Sequence, residues 1–238
     1  MTVTLPELYV FIGFLVLVGI AYAGVNTYIK ARISREIMEH TTPFSLMSED
    51  HTISMLVLGD STGVGVGADR AEESVAGRVA HHIGATYVEN LAEVGAETED
   101  LLEQAEKAKL PHYSLLLVHI GGNDIIQFHS AKKTGRYLDA FLENAPRADR
   151  IIILSAGNVG GATIFPPLFR FLHTSLTLKF HKVFEEVAKK HGVTYVNLYE
   201  PFYKDPFLRD PNRYLSMDGL HPSSYGYGLW FEKVKQAL

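Results

Sequence analysis

Residues 115–124 read Leu-Leu-Leu-Val-His-Ile-Gly-Gly-Asn-Asp, an apolar run that ends in two glycines and then two polar side chains. A run this short and this apolar suits a strand buried on both faces, as in a parallel sheet covered by helices. The same pattern recurs outward along the chain. Ile53 to Leu58 (ISMLVL) stops at Gly59, and Thr86 to Leu91, Ile151 to Leu154 and Val193 to Leu198 are also strand-like. Helical spacing lies between them. Glu72 to Ile83 sets Val75, Ala76, Val79 and Ile83 on one face ahead of Gly84, and Glu97 to Ala108 has Thr98 as a candidate cap. A long helical stretch ends at His191-Gly192, and Ser223 to Leu238 reads as a closing helix with Pro222 pre-set for its first turn. Five strands interleaved with helices predict an α/β fold, a three-layer α/β/α sandwich around a five-stranded parallel sheet. In such sheets ligands bind beyond the carboxyl ends of the strands.

Four local signals lie where strands run out into loops. They are Gly59-Asp60-Ser61 ahead of Gly63, Gly65 and Gly67; Asn90 and Gly95 in NLAEVGAET; Gly121-Gly122-Asn123-Asp124; and Asp218-Gly219-Leu220-His221-Pro222 before the last helix. A serine hydroxyl becomes a useful nucleophile only when a neighbouring base takes its proton. An imidazole suits that task because its unperturbed pKa, near 6.5, is close to working pH. The base needs a carboxylate at its other nitrogen, and Asp218 and His221 are close enough in sequence for one turn of backbone to join them. Pro222 biases the residue before it toward extended backbone, holding the His221 ring off the helix.

These blocks, in this order, resemble the SGNH hydrolases, also called the GDSL esterase/lipase family. The likeness runs from Ile53 to about Trp230, with Ser61, Gly95, Asn123 and His221 at the letters of the name. One departure is Thr62, where the family's motif has Leu. The resemblance implies a flavodoxin-like SGNH hydrolase fold, a catalytic set of Ser61, Asp218 and His221, and an oxyanion hole from the backbone N–H groups of Ser61 and Gly95 and the Asn123 amide. At position 95 glycine is expected because a side chain would obstruct close backbone approach. Asp60 and Asp124 are expected to brace loops rather than react.

Other chemistries fit poorly. The chain has no cysteine, which excludes disulfides, thiolate metal sites and a cysteine nucleophile. A net charge of −5 with no basic run argues against nucleic-acid binding. GVGVGA lacks the Lys-Ser/Thr ending of a phosphate loop and the full dinucleotide fingerprint. His81 and His82 are adjacent on a helix and point in different directions, His119 reads as a core residue, and a metal site on Asp218 and His221 has no evident third ligand. No metal or organic cofactor is needed.

The N-terminus is a different material. Leu8 to Val25 (LYVFIGFLVLVGIAYAGV) has no charge, and Lys30, Arg32 and Arg35 are the first to follow. At about 1.5 Å per residue such a stretch suffices to cross a hydrocarbon core of about 30 Å. The expected organisation is an N-terminal membrane anchor over residues 1–29 with a transmembrane helix at about 8–29, a polar tether over 30–52, and the hydrolase domain over 53–238. A signal peptide is the rival, since Ala21-Tyr22-Ala23 resembles a cleavage site, although no Lys or Arg precedes Leu8. Basic residues after the span favour a cytoplasmic domain, and both orientations stay open.

The expectation is a membrane-anchored serine esterase acting through an acyl-enzyme on a small-molecule ester, a lipid or an acylated sugar. The alternatives are an O-acetyltransferase or deacetylase of cell-envelope carbohydrate, and an inactive binding module of the same fold. The aromatic stretch Phe165 to Leu172 is ordinary packing, an acyl-chain wall or lid, or a surface resting on the bilayer.

Overall fold

The computed structural model of the chain describes residues 5–238; the first four residues of the expected anchor lie outside the described residues. Five strands, β1 (Ser54–Gly59), β2 (Tyr87–Asn90), β3 (Tyr113–Ile120), β4 (Ala148–Ser155) and β5 (Thr194–Val196), form one parallel sheet in the order β2-β1-β3-β4-β5. This is the doubly wound order with its topological switch between β1 and β3, so a crevice opens beyond their carboxyl ends. The alternation of side chains along each strand divides the core in two. Leu56, Leu58, Leu116, Val118 and Ile153 face Leu138, Phe141, Phe180 and Phe184 of α6 (Ala131–Glu143) and α7 (Pro167–His191), with α4 (Leu101–Glu106) on the same side. Met55, Val57, Leu115, Leu117, Ile152 and Leu154 face α3 (Val75–Ile83) and α10 (Ser224–Lys235), whose Val79, Tyr227, Trp230 and Val234 are buried there.

The strands match the apolar runs to within a few residues, and Gly84 and Gly192 end α3 and α7 in left-handed conformation as expected. Other details differ. The sequence pattern does not single out α6, because its outer face is Lys- and Arg-rich and its buried face uses Ala131, Thr134 and Gly135 beside Leu138 and Phe141. The cap before α4 is Glu97, in a reciprocal capping box with Asp100, and not Thr98. Pro222 is not in the first turn of α10: Ser223 caps that helix through Gly226 N–H, and Pro222 pairs in a bridge with Leu215.

The polar segment after the apolar stretch also departs from expectation. Helix α1 (Leu5–His40) does not end at Ile29 but continues to His40, and Leu46 forms an antiparallel bridge with Val88 on the edge of β2. The reason is a half-buried stripe at helical spacing, Ala23, Asn26, Thr27, Lys30, Ile33, Ser34, Ile37 and Met38, of which Ile37 and Met38 pack on Val64, Val66 and Ala92. The N-terminal part of α1 is long and apolar enough to cross a membrane, a property that signal sequences share, and none of the residues in its apolar window is buried.

Candidate functional site

The loop after β1 is built around a glycine. Gly59 has φ of 134°, and a Cβ there would lie 1.9 Å from the carbonyl oxygen of His119 on neighbouring β3. The buried Gln104 side chain clasps this residue, accepting from Gly59 N–H at 2.8 Å and donating to its carbonyl at 2.9 Å. Asp60 then caps the short helix α2 (Ser61–Val64), its Oδ1 accepting from Thr62 N at 2.8 Å and Thr62 Oγ1 at 2.5 Å. The hydroxyl of Thr62 is a donor that Leu could not provide. Ser61 is thereby the first residue of α2, and it is buried.

Two short helices, α8 (Pro206–Arg209) and α9 (Pro211–Tyr214), lead into a tight return before α10 that positions the histidine. Ser216 N donates to His221 O at 2.8 Å and Gly219 N donates to Ser216 O at 2.9 Å. Asp218 Oδ1 accepts the backbone N–H groups of Leu220 at 2.9 Å and His221 at 3.1 Å, and its Oδ2 lies 2.6 Å from His221 Nδ1. A carboxylate only accepts, so Nδ1 carries the proton and leaves Nε2 to accept from a hydroxyl. Ser61 Oγ is that hydroxyl, 2.9 Å away across 160 residues of chain. Burial pushes the Asp218 carboxyl up, but the hydrogen bond and charge of the imidazole, with the two backbone donors, carry it below its ordinary value. Burial also pushes Asp60 up, and there the donors from Thr62 and Gly122 do not offset it.

Of the expected oxyanion donors, Asn123 lines the same cavity as Ser61 and His221. It lies on α5 (Gly122–Ile126) just past β3, and its Nδ2 donates to Ala96 O at 2.8 Å, leaving one N–H free. That bond ties it to the turn holding Gly95. A Cβ at Gly95 would meet no protein atom within 4 Å, and its φ of 84° favours glycine. Asp124 accepts Thr98 N at 3.0 Å, Thr98 Oγ1 at 2.9 Å and Thr134 Oγ1 at 3.2 Å, joining three segments beneath the site.

From Ser61 a cavity of about 420 Å³ extends toward the ends of β4 and β5. Its far wall includes Asn158, Gly161, Leu198, Asp205, Phe207 and Trp230. Trp230 is buried with its Nε1 unpaired, and burial, reinforced by the charge of Glu200, pushes Asp205 up to about 6. No motif signalled these residues; the rule that strand ends carry ligands points to the loops after β4 and β5, though not to individual side chains. His119 is a core residue against Trp230, and burial holds its imidazole down to about 3. None of the described side chains of the aromatic stretch lines this cavity. Phe165 stacks on His173, while Phe169 and Phe171 are exposed on the first turns of α7, and the side chain of Leu168 lies outside the described residues.

Among the described residues one group could hold a metal, Glu97, Asp124 and His129, with ligand atoms within 4.8 Å of one another. Its oxygens already take protein donors, including Gln127 Nε2 on Glu97 and Thr98 on Asp124.

A family model described as GDSL-like Lipase/Acylhydrolase matches residues 57–229. No curated protein matches the chain in sequence. Similar solved structures include a lipase/acylhydrolase from Enterococcus faecalis, at 21% identity and TM-score 0.58, over 78% of this chain and 94% of that one. An extracellular lipase from Streptomyces rimosus is similar at 18% identity and TM-score 0.55, over 78% of this chain and 100% of that one. A phospholipase A1 from Streptomyces albidoflavus NA297 is similar at 17% identity and TM-score 0.52, over 77% and 98%.

Proposed function

Because the chain belongs to the GDSL-like lipase/acylhydrolase family, we propose that it is a membrane-anchored serine esterase that cleaves carboxylic esters through an acyl-enzyme. In this reading Ser61 Oγ attacks the ester carbonyl as His221 Nε2 takes its proton, and Asp218 stabilises the imidazolium and fixes its tautomer. The oxyanion is held by the N–H groups of Ser61 and Gly95 and by the free N–H of Asn123 Nδ2. The intermediate collapses, and the alcohol leaves with the proton from His221. Water, activated by the same nitrogen, attacks the acyl-serine and restores the hydroxyl. The observation that supports this most is the continuous buried relay of 2.9 Å from Ser61 Oγ to His221 Nε2 and 2.6 Å from Nδ1 to Asp218. The uncharged part of α1 is the proposed anchor, and residues 53–238 the hydrolase unit it holds.

The test is a fluorophosphonate probe, which reacts only with an activated serine. The full chain in detergent is expected to be labelled once, at Ser61. Ser61→Ala is expected to lose the label and roughly 10⁴-fold or more of ester turnover while keeping the wild-type circular dichroism. Undiminished labelling of the folded variant would remove Ser61 from the reaction.

A further inference from the structure

Helix α1 does not hang free of the rest of the chain; it is gripped close to the reacting residues. Thr27 Oγ1 donates to Ile164 O at 2.9 Å, and Lys30 Nζ donates to Thr163 O at 3.0 Å and Thr163 Oγ1 at 2.7 Å. On the other side of this contact lies Gly219, next to Asp218, where a Cβ would come 2.3 Å from Thr163 Oγ1 and 2.8 Å from Lys30 Nζ. The residues beside the grip are cavity wall: Gly161 and Ala162 precede Thr163, and Leu220 follows Gly219.

The grip begins inside the uncharged stretch. No charge precedes Lys30 after Glu7, yet the half-buried face of α1 starts at Ala23. At 1.5 Å per residue, Ala23 is about 10 Å deeper along the helix than Lys30. A bilayer crossed by the apolar part of α1 therefore meets the loop at residues 163–164 at its own surface. The side chains flanking that loop suit such a place. Phe171 is 76% exposed and Met217 is 81% exposed, with Phe169 and Leu172 nearly half exposed beside Phe171. Arg32 and Arg35, both exposed, follow on α1 within about two turns, at the height of lipid phosphates.

Resting on the anchorage proposed above, the geometry points to a bilayer-seated rim. Phe169, Phe171, Leu172 and Met217 insert into the headgroup–acyl boundary of the membrane that α1 crosses, so that the wall of the Ser61 cavity stands at the lipid surface. Apolar groups of this kind enter about 5–10 Å into that boundary, and their burial adds to the hold of the helix.

The absence of native cysteine makes the test direct. Phe171→Cys, Met217→Cys and Asp149→Cys, the last at the opposite end of the sheet, are each labelled with an environment-sensitive fluorophore in the full chain. The proteins are reconstituted in nanodiscs of phosphatidylcholine and phosphatidylglycerol. Lipids carrying a quencher near the top of the acyl chain are expected to dim positions 171 and 217 severalfold more than 149, and aqueous iodide to do the reverse. Iodide quenching at 171 and 217 equal to that at 149, with no response to lipid quencher, would overturn the seat. A chain that does not enter nanodiscs would overturn it together with the anchorage. The fluorophosphonate reaction at Ser61 is read separately, so failure of the chemistry and failure of the seat are distinguishable. As a second readout, Phe169→Glu with Phe171→Glu is expected to slow hydrolysis of a vesicle-borne ester severalfold and leave a short soluble ester unaffected. Equal rates on both substrates would count against the rim.

Discussion

Two carboxylates border Ser61 and His221, one on the loop after β1 and one on the return before α10, and their surroundings treat them in opposite ways. Both are buried. Asp218 has both oxygens occupied, Oδ1 by two backbone donors and Oδ2 by the imidazole, and its carboxyl lies below the ordinary value. Asp60 concentrates its strong bonds on Oδ1, while Oδ2 receives only a long 3.4 Å contact from Gly122 N, and its carboxyl lies above. Burial acts on both in the same direction. A hydrogen bond from the His221 ring, made to Asp218 and not to Asp60, together with the two backbone donors makes the difference. The lesson is that a buried acid near a reacting pair takes its role from its hydrogen-bond partner rather than from its proximity.

Exchanging each oxygen for an amide tests this contrast most strongly at Asp218. Asp218→Asn places a donor where Nδ1–H must donate, which favours the wrong tautomer. In the proposed mechanism turnover is expected to fall by roughly 10⁴ with the fold intact, and a loss of tenfold or less would erase the distinction between the two acids. Asn123→Ala removes an oxyanion donor and is expected to cost about 10²–10³ in kcat with a smaller change in KM; a KM effect alone would reassign Asn123 to substrate binding. Asp60→Asn is expected to cost about tenfold or less, the worth of rearranging one hydrogen bond.

The stabilities of the two variants sharpen the same contrast through their pH dependence. Between its ordinary value of 3.8 and its raised native value, Asp60 holds a proton in the folded state that the unfolded chain has released, so it costs stability as pH rises through that window. Asp60→Asn lacks the cost, and its Tm relative to wild type is expected to climb from pH 4 to pH 8. Asp218 has the opposite sign. Its contribution is present above 3.8 and is lost as pH falls toward its lower native value, so the deficit of Asp218→Asn is expected to shrink only in strong acid. Parallel pH curves for the two variants would dissolve the comparison.

Much of this is legible in the sequence. Apolar runs ended by glycine at Gly59 and Gly121 mark β1 and β3, because a doubly covered sheet needs apolar residues on both faces and a turn without a Cβ at its end. The Asp218–His221 pairing was legible for a local reason: three residues of backbone suffice to join them. Other features were not. The second half of α1 reads as a polar tether because the sequence after Ile29 mixes charges with Ser and Thr and has no sustained apolar period; Lys30, Ile37 and Met38 become an interface only when Thr163 and Val66 come to meet them. Gln104, Asp205 and Trp230 stand in no motif, and each matters through a neighbour far away in the chain.

The amino-acid order by itself determined the strand-helix alternation, the places where polar groups interrupt strand ends, and the local carboxylate–imidazole pair, since all of these depend on periodicity or on a few consecutive residues. Tertiary structure alone decided that a hydroxyl 160 positions away meets that imidazole, that one buried acid is lowered while the other is raised, and that α1 grips the cavity wall. The physical reason is that desolvation and hydrogen bonding sum over every neighbour in space, and the chain does not record those neighbours as adjacent letters.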